Sequence, residues 1–236
     1  MIIVIKHIDI EGPETLGVYL RDKGFDLQTI AMESNDPFPD TLEKVDAVIC
    51  LGGPMNVYEE QKYPFLEQED LFIKRILDCQ VPFLGICLGS QLLAKASGGT
   101  VVKSPMREIG FADIHITANG IQDALFSGVG ETMRVYQWHE DMSELPPHAT
   151  LLATSPECPQ QAWKIGPNAY GIQFHIEITE ESIYTWTERY FHDAQQRETQ
   201  QQIMLDEYTR IKPTFDRTAQ IVYDNFLMLI KAGDRG

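Results

Sequence analysis

Short apolar runs alternate with longer amphipathic segments over the first hundred residues of the chain. The apolar runs predict buried strands at residues 2–5, 47–51 and 81–86. The amphipathic segments predict helices at residues 16–23, 63–79 and 88–96. Gly24 and the pair Gly98-Gly99 mark the ends of two of these helices. This order of elements predicts a parallel sheet with helices on both faces.

The middle of the chain is richer in strands. Apolar or alternating segments separated by Gly, Pro and Asn predict strands at residues 111–117, 133–138, 150–154, 161–165 and 171–176. We interpret them as later strands of the same sheet together with an antiparallel layer. A helix over residues 180–195 follows, with Thr179 as its N-cap. The predicted fold class is therefore α/β with three layers: a mostly parallel central sheet, helices on both faces, and an antiparallel strand layer.

The last forty residues form a C-terminal helical extension in this interpretation. Apolar side chains recur at helical spacing, namely Met204, Tyr208, Ile211, Phe215, Val222, Phe226 and Leu229. Pro213 interrupts this pattern and predicts a division into two helices, because proline is favoured in the first turn of a helix. We therefore divide the chain into a domain of residues 1–195 and an extension of residues 196–236. The apolar face of the extension would pack on the domain or on a partner, such as a second copy in a homodimer.

Composition narrows the choice of partners and compartment. The chain has 236 residues, of which 43% are hydrophobic and 23% are charged, and its formal net charge is −16. This charge repels phosphate backbones and anionic lipids, so neither nucleic acid nor a membrane is an expected partner. The first ten residues do not resemble a signal peptide, and no apolar run reaches the ~18 residues of a membrane helix, so we expect a cytoplasmic protein.

The four cysteines are scattered, without the spacing of a zinc site, so we expect free thiols and no metal or other cofactor. Cys87 alone lies in a pattern that indicates chemistry. The segment Gly85-Ile86-Cys87-Leu88-Gly89 has the form G-x-C-x-G between a predicted strand and a predicted helix, as in a nucleophile elbow. A helix N-terminus there would favour the thiolate and bind an oxyanion. The alternative is a buried structural cysteine beside two incidental glycines.

Two further segments lie at the carboxyl ends of predicted strands, where ligands gather in parallel sheets. His175 and Glu177 are two positions apart in an extended segment, so the carboxylate can lie beside the imidazole and fix its tautomer. The turn Gly52-Gly53-Pro54 could supply backbone N–H groups to an oxyanion. Each segment taken alone is also compatible with an ordinary strand end.

Together these segments resemble the class I, or triad, glutamine amidotransferases, over about residues 40–190. The sequence from Gly85 to Gln91 is similar to the nucleophile motif of that family, and His175-Ile176-Glu177 to its His-x-Glu pair. Gly52-Gly53-Pro54 resembles its oxyanion turn. The segment of residues 138–141, with sequence WHED, resembles one found in members close to the amidotransferase domain of GMP synthase.

The resemblance implies a role for each matching residue. Cys87 would be the nucleophile, His175 the general base and acid, and Glu177 the group that orients His175. The N–H groups of Gly53 and Leu88 would bind the oxyanion. Substrate contacts would come from Gly52, Gln91, Trp138, His139, Glu140 and Asp141. In this assignment His139 is a loop residue of the substrate wall, and Trp138 could equally be part of the core.

The implied reaction is hydrolysis of the glutamine side-chain amide through a γ-glutamyl thioester, which needs no cofactor. The chain departs from better-known members because it has no room for a synthetase domain and no phosphate-binding loop. Ammonia could pass to a separate synthetase subunit, the chain could be a stand-alone glutaminase, or it could cleave another γ-glutamyl compound. Two other classes remain open: a non-catalytic regulatory module on the same fold, and a cysteine hydrolase or stress-response protein with a different triad.

Overall fold

A computed structural model describes residues 1–233, so the last three residues of the predicted extension lie outside the described residues. The strands are β1 (Ile2–Lys6), β2 (Leu27–Ala31), β3 (Ala47–Cys50), β4 (Phe83–Ile86), β5 (Thr100–Ile116), β6 (Thr132–Glu144), β7 (Thr150–Thr154), β8 (Ala162–Ile165) and β9 (Ala169–Ile172). The helices are α1 (Glu14–Asp22), α2 (Phe65–Asp78), α3 (Leu88–Ala96), α4 (Ala118–Gln122), α5 (Glu180–Tyr190) and α6 (Ala194–Gly233). The strands form one sheet in the order β2-β1-β3-β4-β9-β8-β7-β5-β6.

The first half of the sheet, from β2 to β9, is parallel. Its inner strands are almost entirely buried because helices cover both faces. Alternate residues of β1 show this: Ile2 and Val4 join a hydrophobic cluster with α1, α5 and α6, whereas Ile3 and Ile5 join a cluster with α2 and α3. The three-layer α/β fold class predicted from the sequence is confirmed.

The second half of the sheet is antiparallel and continues the same sheet. β5 and β6 are much longer than predicted and pair along most of their length, with a register shift between Lys103 and Glu108. β6 includes His139, so the prediction that His139 is a loop residue is wrong. The edge strand β2 and the short helix α4 were not predicted, because a single buried residue in each, Ile30 and Gly120, gives no periodic pattern.

The C-terminal segment is a single helix of 40 residues, and the predicted division at Pro213 is wrong. An internal proline costs a helix about 3 kcal/mol. Apolar side chains on both sides of Pro213, including Tyr208 and Phe215, pack into the hydrophobic cluster that also contains α1 and α5, and we attribute the continuity of the helix to this burial. The helix predicted over residues 180–195 ends earlier, because Phe191 is extended and α6 begins at Ala194.

Among residues 1–233, no helix combines the length and the apolar character that crossing a membrane requires.

Candidate active site

Cys87 lies on the sharp turn between β4 and α3, with φ of 52° and ψ of −107°. Such a positive φ is strained for a residue with a side chain. The flanking glycines are required by close packing. A Cβ on Gly85 would lie 2.5 Å from the carbonyl oxygen of Gly89, and one on Gly89 would lie 2.0 Å from the carbonyl oxygen of Cys50. The turn therefore has the geometry expected of a nucleophile elbow.

His175 lies three residues beyond β9, where a bridge to Tyr136 holds its backbone. Its Nδ1 is 2.6 Å from Oε1 of Glu177, whose other oxygen accepts the N–H of Ile176 at 2.9 Å. Burial lowers the pKa of His175, but the charge of Glu177 and hydrogen bonds to Cys87 and Glu177 outweigh burial, so this pKa lies well above its usual range. The thiol and the imidazole, 88 residues apart in sequence, line the same cavity, and the raised pKa of His175 favours its imidazolium form.

The turn at Gly52 and Gly53 lies directly beside this pair. A Cβ on Gly52 would approach Cε1 of His175 to 3.2 Å and Cβ of Cys87 to 3.7 Å. Within the described chain, the N–H groups of Gly53 and Leu88 donate to no backbone carbonyl outside their own element. Leu88 is the first residue of α3, so its N–H also has no partner within the helix. An oxyanion formed next to the sulfur of Cys87 could accept hydrogen bonds from these two free N–H groups.

The side chain of Gln91 bridges two other elements near Cys87. Its Nε2 donates to the carbonyl oxygen of Asp141 at 3.1 Å and to Oε1 of Gln173 at 3.2 Å. The Nε2 of Gln173 is 3.7 Å from the sulfur of Cys87, and the sulfur is 3.8 Å from the carbonyl oxygen of Trp138. Gln173 was not predicted, although it lies two residues before His175.

The predicted substrate segment of residues 138–141 lines the same cavity, but its members differ in what they contact. Trp138 packs edge-on against Trp186. The His139 side chain is 1% exposed and its Nε2 faces Glu108 at 3.0 Å, so little of it is available to a substrate. Glu140 and Asp141 pair with cations that were not predicted, Arg107 at 3.0 Å and Lys103 at 2.9 Å.

The cavity has a volume of about 380 Å³, and Cys87, His175, Gly53 and Gln91 line it. It also contains Glu11, which the sequence interpretation missed. Glu11 is 8% exposed and accepts the hydroxyl of Tyr190 at 2.9 Å. Burial raises its pKa, against the opposing charge of His175. Glu11 follows β1, so the same rule that singled out the other strand ends could have found it.

Two buried groups bring His, Cys and Glu ligand atoms within 4.8 Å of one another, as a metal site would: His7, Cys50 and Glu69, and Glu108, His139 and Cys158. In both groups one imidazole nitrogen faces a backbone carbonyl and the other faces the carboxylate. Burial raises the pKa of the Cys50 thiol far above its usual value, and that of Cys158 to about 12. The cysteines are therefore favoured as neutral thiols, and both nitrogens of each imidazole already face oxygen atoms of the protein.

The family model "Glutamine amidotransferase class-I" matches residues 13–188, well over half of the chain. The chain therefore belongs to the class I glutamine amidotransferase family, which confirms the resemblance drawn from its motifs.

Several named members of that family are similar to the chain in sequence. It is 34% identical over 179 residues to the glutamine amidotransferase-like protein YfeJ of Salmonella typhimurium, covering 73% of this chain and 75% of YfeJ. It is 40% identical over 133 residues to the glutamine-hydrolysing GMP synthase of Bacillus pumilus, covering 56% of this chain but 24% of that enzyme. A match of 38% to one subunit of the glutamine-hydrolysing GMP synthase of Pyrococcus abyssi covers 56% of this chain and 65% of that relative.

Solved structures extend the likeness to the C-terminal helix. A glutamine amidotransferase from Thermotoga maritima has a TM-score of 0.88 and 30% identity, with 97% of both chains covered. Another from Methylobacillus flagellatus has a TM-score of 0.84 and 25% identity, covering 97% of this chain and 94% of that one. Helix α6 makes up about a sixth of the chain, so an alignment that covers 97% of the chain must extend into α6.

Proposed function

We propose that the chain is a glutaminase that hydrolyses the side-chain amide of L-glutamine with Cys87, His175 and Glu177. The observation that carries the proposal is the convergence of three sheet-edge segments on one cavity. A thiol on a strained turn, a buried imidazole held by a carboxylate, and a glycine turn with a free N–H group all meet there.

In the first half of the reaction, the thiolate of Cys87 attacks the amide carbon and forms a carbon–sulfur bond. The carbonyl oxygen becomes an oxyanion, which the N–H groups of Gly53 and Leu88 stabilise. His175, as imidazolium, then gives its proton to the amide nitrogen, the carbon–nitrogen bond breaks, and ammonia leaves. The product is a γ-glutamyl thioester on Cys87.

In the second half, water attacks the thioester carbon, and neutral His175 takes a proton from that water. The second tetrahedral oxyanion collapses, the carbon–sulfur bond breaks, and glutamate leaves. Cys87 departs as the thiolate beside the regenerated imidazolium. Glu177 accepts a hydrogen bond from Nδ1 throughout, so that Nε2 faces the reacting atoms.

The proposal is tested by glutamate release from L-glutamine, comparing the native chain with Cys87→Ser. We expect activity in the native chain and a loss of at least about 10³-fold in the variant, because the serine hydroxyl is a far weaker nucleophile than a thiolate. Comparable turnover by Cys87→Ser would remove Cys87 from its assigned role. No release by the native chain from any γ-glutamyl compound would instead favour a non-catalytic module.

A second candidate substrate class is favoured by Glu11. Its Oε2 would lie 2.5 Å from a Cβ on Gly52, and Cε1 of His175 would lie 3.2 Å from the same point. Glu11 is therefore on the side of the cavity where His175 protonates the leaving group. A carboxyl group there can accept a hydrogen bond from an amine larger than ammonia. This supports hydrolysis of γ-glutamyl amines or peptides through the same three residues.

The two substrate classes can be separated by comparing L-glutamine with a γ-glutamyl amine that carries a second, cationic amino group. If Glu11 selects the amine, native kcat/KM is higher for the γ-glutamyl amine, and Glu11→Gln lowers it at least about tenfold more for that substrate than for glutamine. Equal losses on both substrates would exclude Glu11 from leaving-group selection and leave glutaminase as the preferred activity.

The ammonia acceptor is a separate question. The relative from Pyrococcus abyssi is named as one subunit of GMP synthase, so a synthetase encoded as its own chain is a reasonable partner to seek for this protein. Affinity purification from its own cells, followed by a test for glutamine-dependent amination by the captured protein, would examine this. Full glutaminase activity of the isolated chain would support a stand-alone enzyme.

A further inference from the structure

Behind the turn at Gly52 lies a histidine–carboxylate pair that the proposed mechanism does not use. His7 and Glu69 are both 0% exposed, and Nε2 of His7 lies 3.0 and 3.1 Å from the two carboxylate oxygens. The thiol of Cys50 donates to the same carboxylate at 3.2 Å. Nδ1 of His7 lies 2.9 Å from the carbonyl oxygen of Gly52. The network thus joins the residue after β1, the end of β3 and the helix α2 to the glycine turn.

The hydrogen-bond partners fix the proton on one nitrogen of His7. A backbone carbonyl only accepts hydrogen bonds, so Nδ1 of His7 must carry a proton to bond to Gly52. On its other side, Nε2 can either donate to a charged Glu69 or accept from a protonated one. In both cases Nδ1–H points at Gly52, so His7 is a permanent donor to that carbonyl.

Peptide geometry carries this contact to the active site. The carbonyl of Gly52 and the N–H of Gly53 belong to one planar trans peptide and point in opposite directions. With the carbonyl held by His7, the Gly53 N–H is turned away from His7. Packing limits the turn further, because a Cβ on Gly53 would lie 2.9 Å from both Cβ of His7 and Cδ2 of Leu88.

We infer that His7, oriented by Glu69, is a positioning residue that holds the peptide between Gly52 and Gly53 with its N–H directed at the oxyanion. This inference rests on the proposed function, in which the Gly53 N–H is one of the two oxyanion donors. The hydrogen bond from His7 also polarises the peptide, which strengthens its N–H as a donor. Glycine turns rotate easily, so an oxyanion donor on such a turn needs a lock of this kind.

The inference is tested with His7→Asn and His7→Gln, a matched pair of amides. The amide nitrogen of Asn can take the place of Nδ1 and keep the bond to Gly52, whereas that of Gln takes the place of Nε2. We expect His7→Gln to lower kcat for the preferred γ-glutamyl substrate about 10- to 100-fold with KM nearly unchanged, and His7→Asn to retain most of the activity. The exposed His115→Asn is the control and should match the native chain.

A second measurement separates oxyanion binding from the reactivity of the thiol. Alkylation of Cys87 by iodoacetamide passes through no oxyanion, so its rate should be unchanged in His7→Gln. The double variant His7→Leu/Glu69→Met replaces the buried pair by apolar side chains, which proteins often tolerate without loss of stability. We expect it to fold, to be alkylated at the native rate, and to show the same loss in kcat.

Several outcomes would overturn the inference: equal activity of the Asn and Gln variants, a loss confined to KM, or parallel losses of turnover and alkylation. A metal ion that is retained by the native chain but lost from His7→Leu/Glu69→Met, and whose removal by a chelator inactivates the native chain, would assign His7, Cys50 and Glu69 to a metal instead. Crystal structures of His7→Gln and the double variant give a readout independent of turnover, and an unrotated Gly52–Gly53 peptide in both would reject the inference. If the native chain cleaves no γ-glutamyl compound, the proposed function fails, and these structures still decide the role of His7.

Discussion

Two of the three buried histidine–carboxylate pairs among residues 1–233 have the same chemistry and different surroundings. His175 is 2% exposed and lies 2.6 Å from Glu177, and His7 is 0% exposed and lies 3.0 Å from Glu69. In both, a carboxylate outweighs the effect of burial and raises the pKa of the imidazole. The far nitrogen of His175 is left to Cys87, whereas that of His7 meets a backbone carbonyl. The second partner of the imidazole, and not the carboxylate, therefore decides between chemistry and positioning.

Removing the imidazole of each pair should have the largest effect. We expect His175→Ala to lower kcat for the preferred γ-glutamyl substrate by at least about 10³-fold, because it removes both the proton carrier and the imidazolium that stabilises the thiolate. Alkylation of Cys87 by iodoacetamide at neutral pH should slow as well. The His7 variants should leave that rate unchanged, so equal alkylation rates in all of these variants would show that His175 does not activate the thiol.

A finer test replaces each carboxylate by its amide. In Glu177→Gln the new amide can donate to Nδ1 of His175, which puts the imidazole proton on Nε2, facing the sulfur. We expect kcat to fall about 10²- to 10⁴-fold, as the wrong tautomer does in serine proteases.

In Glu69→Gln the imidazole cannot change tautomer, because the Gly52 carbonyl only accepts a hydrogen bond. We expect a loss below about tenfold, since the donor to that carbonyl remains. Steady-state kinetics of the two variants side by side provides the measurement. Similar losses would mean that tautomer control does not distinguish the pairs.

The smallest expected effect concerns stability against pH. Because the folded-state pKa of His7 is raised, its contribution is complete below the unfolded value of about 6.5 and is lost as pH rises through the folded value. The unfolding free energy of the native chain should therefore decline above pH 6.5, and less steeply in His7→Leu/Glu69→Met. Urea unfolding over a pH series measures both slopes. If the unfolding free energy fell equally steeply with pH in both proteins, the pKa of His7 would be the same in the folded and unfolded chains.

The elbow and the His-x-Glu pair could be predicted because their geometry is local. Cys87 is flanked by glycines within two residues on either side, and His175 and Glu177 are two positions apart, so short-range backbone geometry places the groups. The strands β1, β3 and β4 were equally readable, because burial on both faces leaves continuous apolar runs. The strand predicted at residues 171–176 was placed less well, because β9 spans Ala169–Ile172 and ends before His175.

Other features depend on contacts that no local pattern reports. His7 and Glu69 are separated by 62 residues and meet only when β1 and α2 pack together. Glu11 gains its environment from His175 and Tyr190, both far along the chain. The same holds for Pro213, whose local preference to begin a helix is overridden by the burial of neighbouring side chains.

The fold class, the family and the three residues proposed for catalysis could all be predicted from the chain before folding, because periodicity and short motifs report on neighbours along the chain. Three features emerged only from the folded chain: which strand ends share a cavity, that β6 carries His139 into the sheet, and that the buried imidazole of His7, just after β1, contacts the glycine turn. Packing brings together groups whose separation in sequence leaves no periodic signal, and burial then fixes which of their atoms can meet.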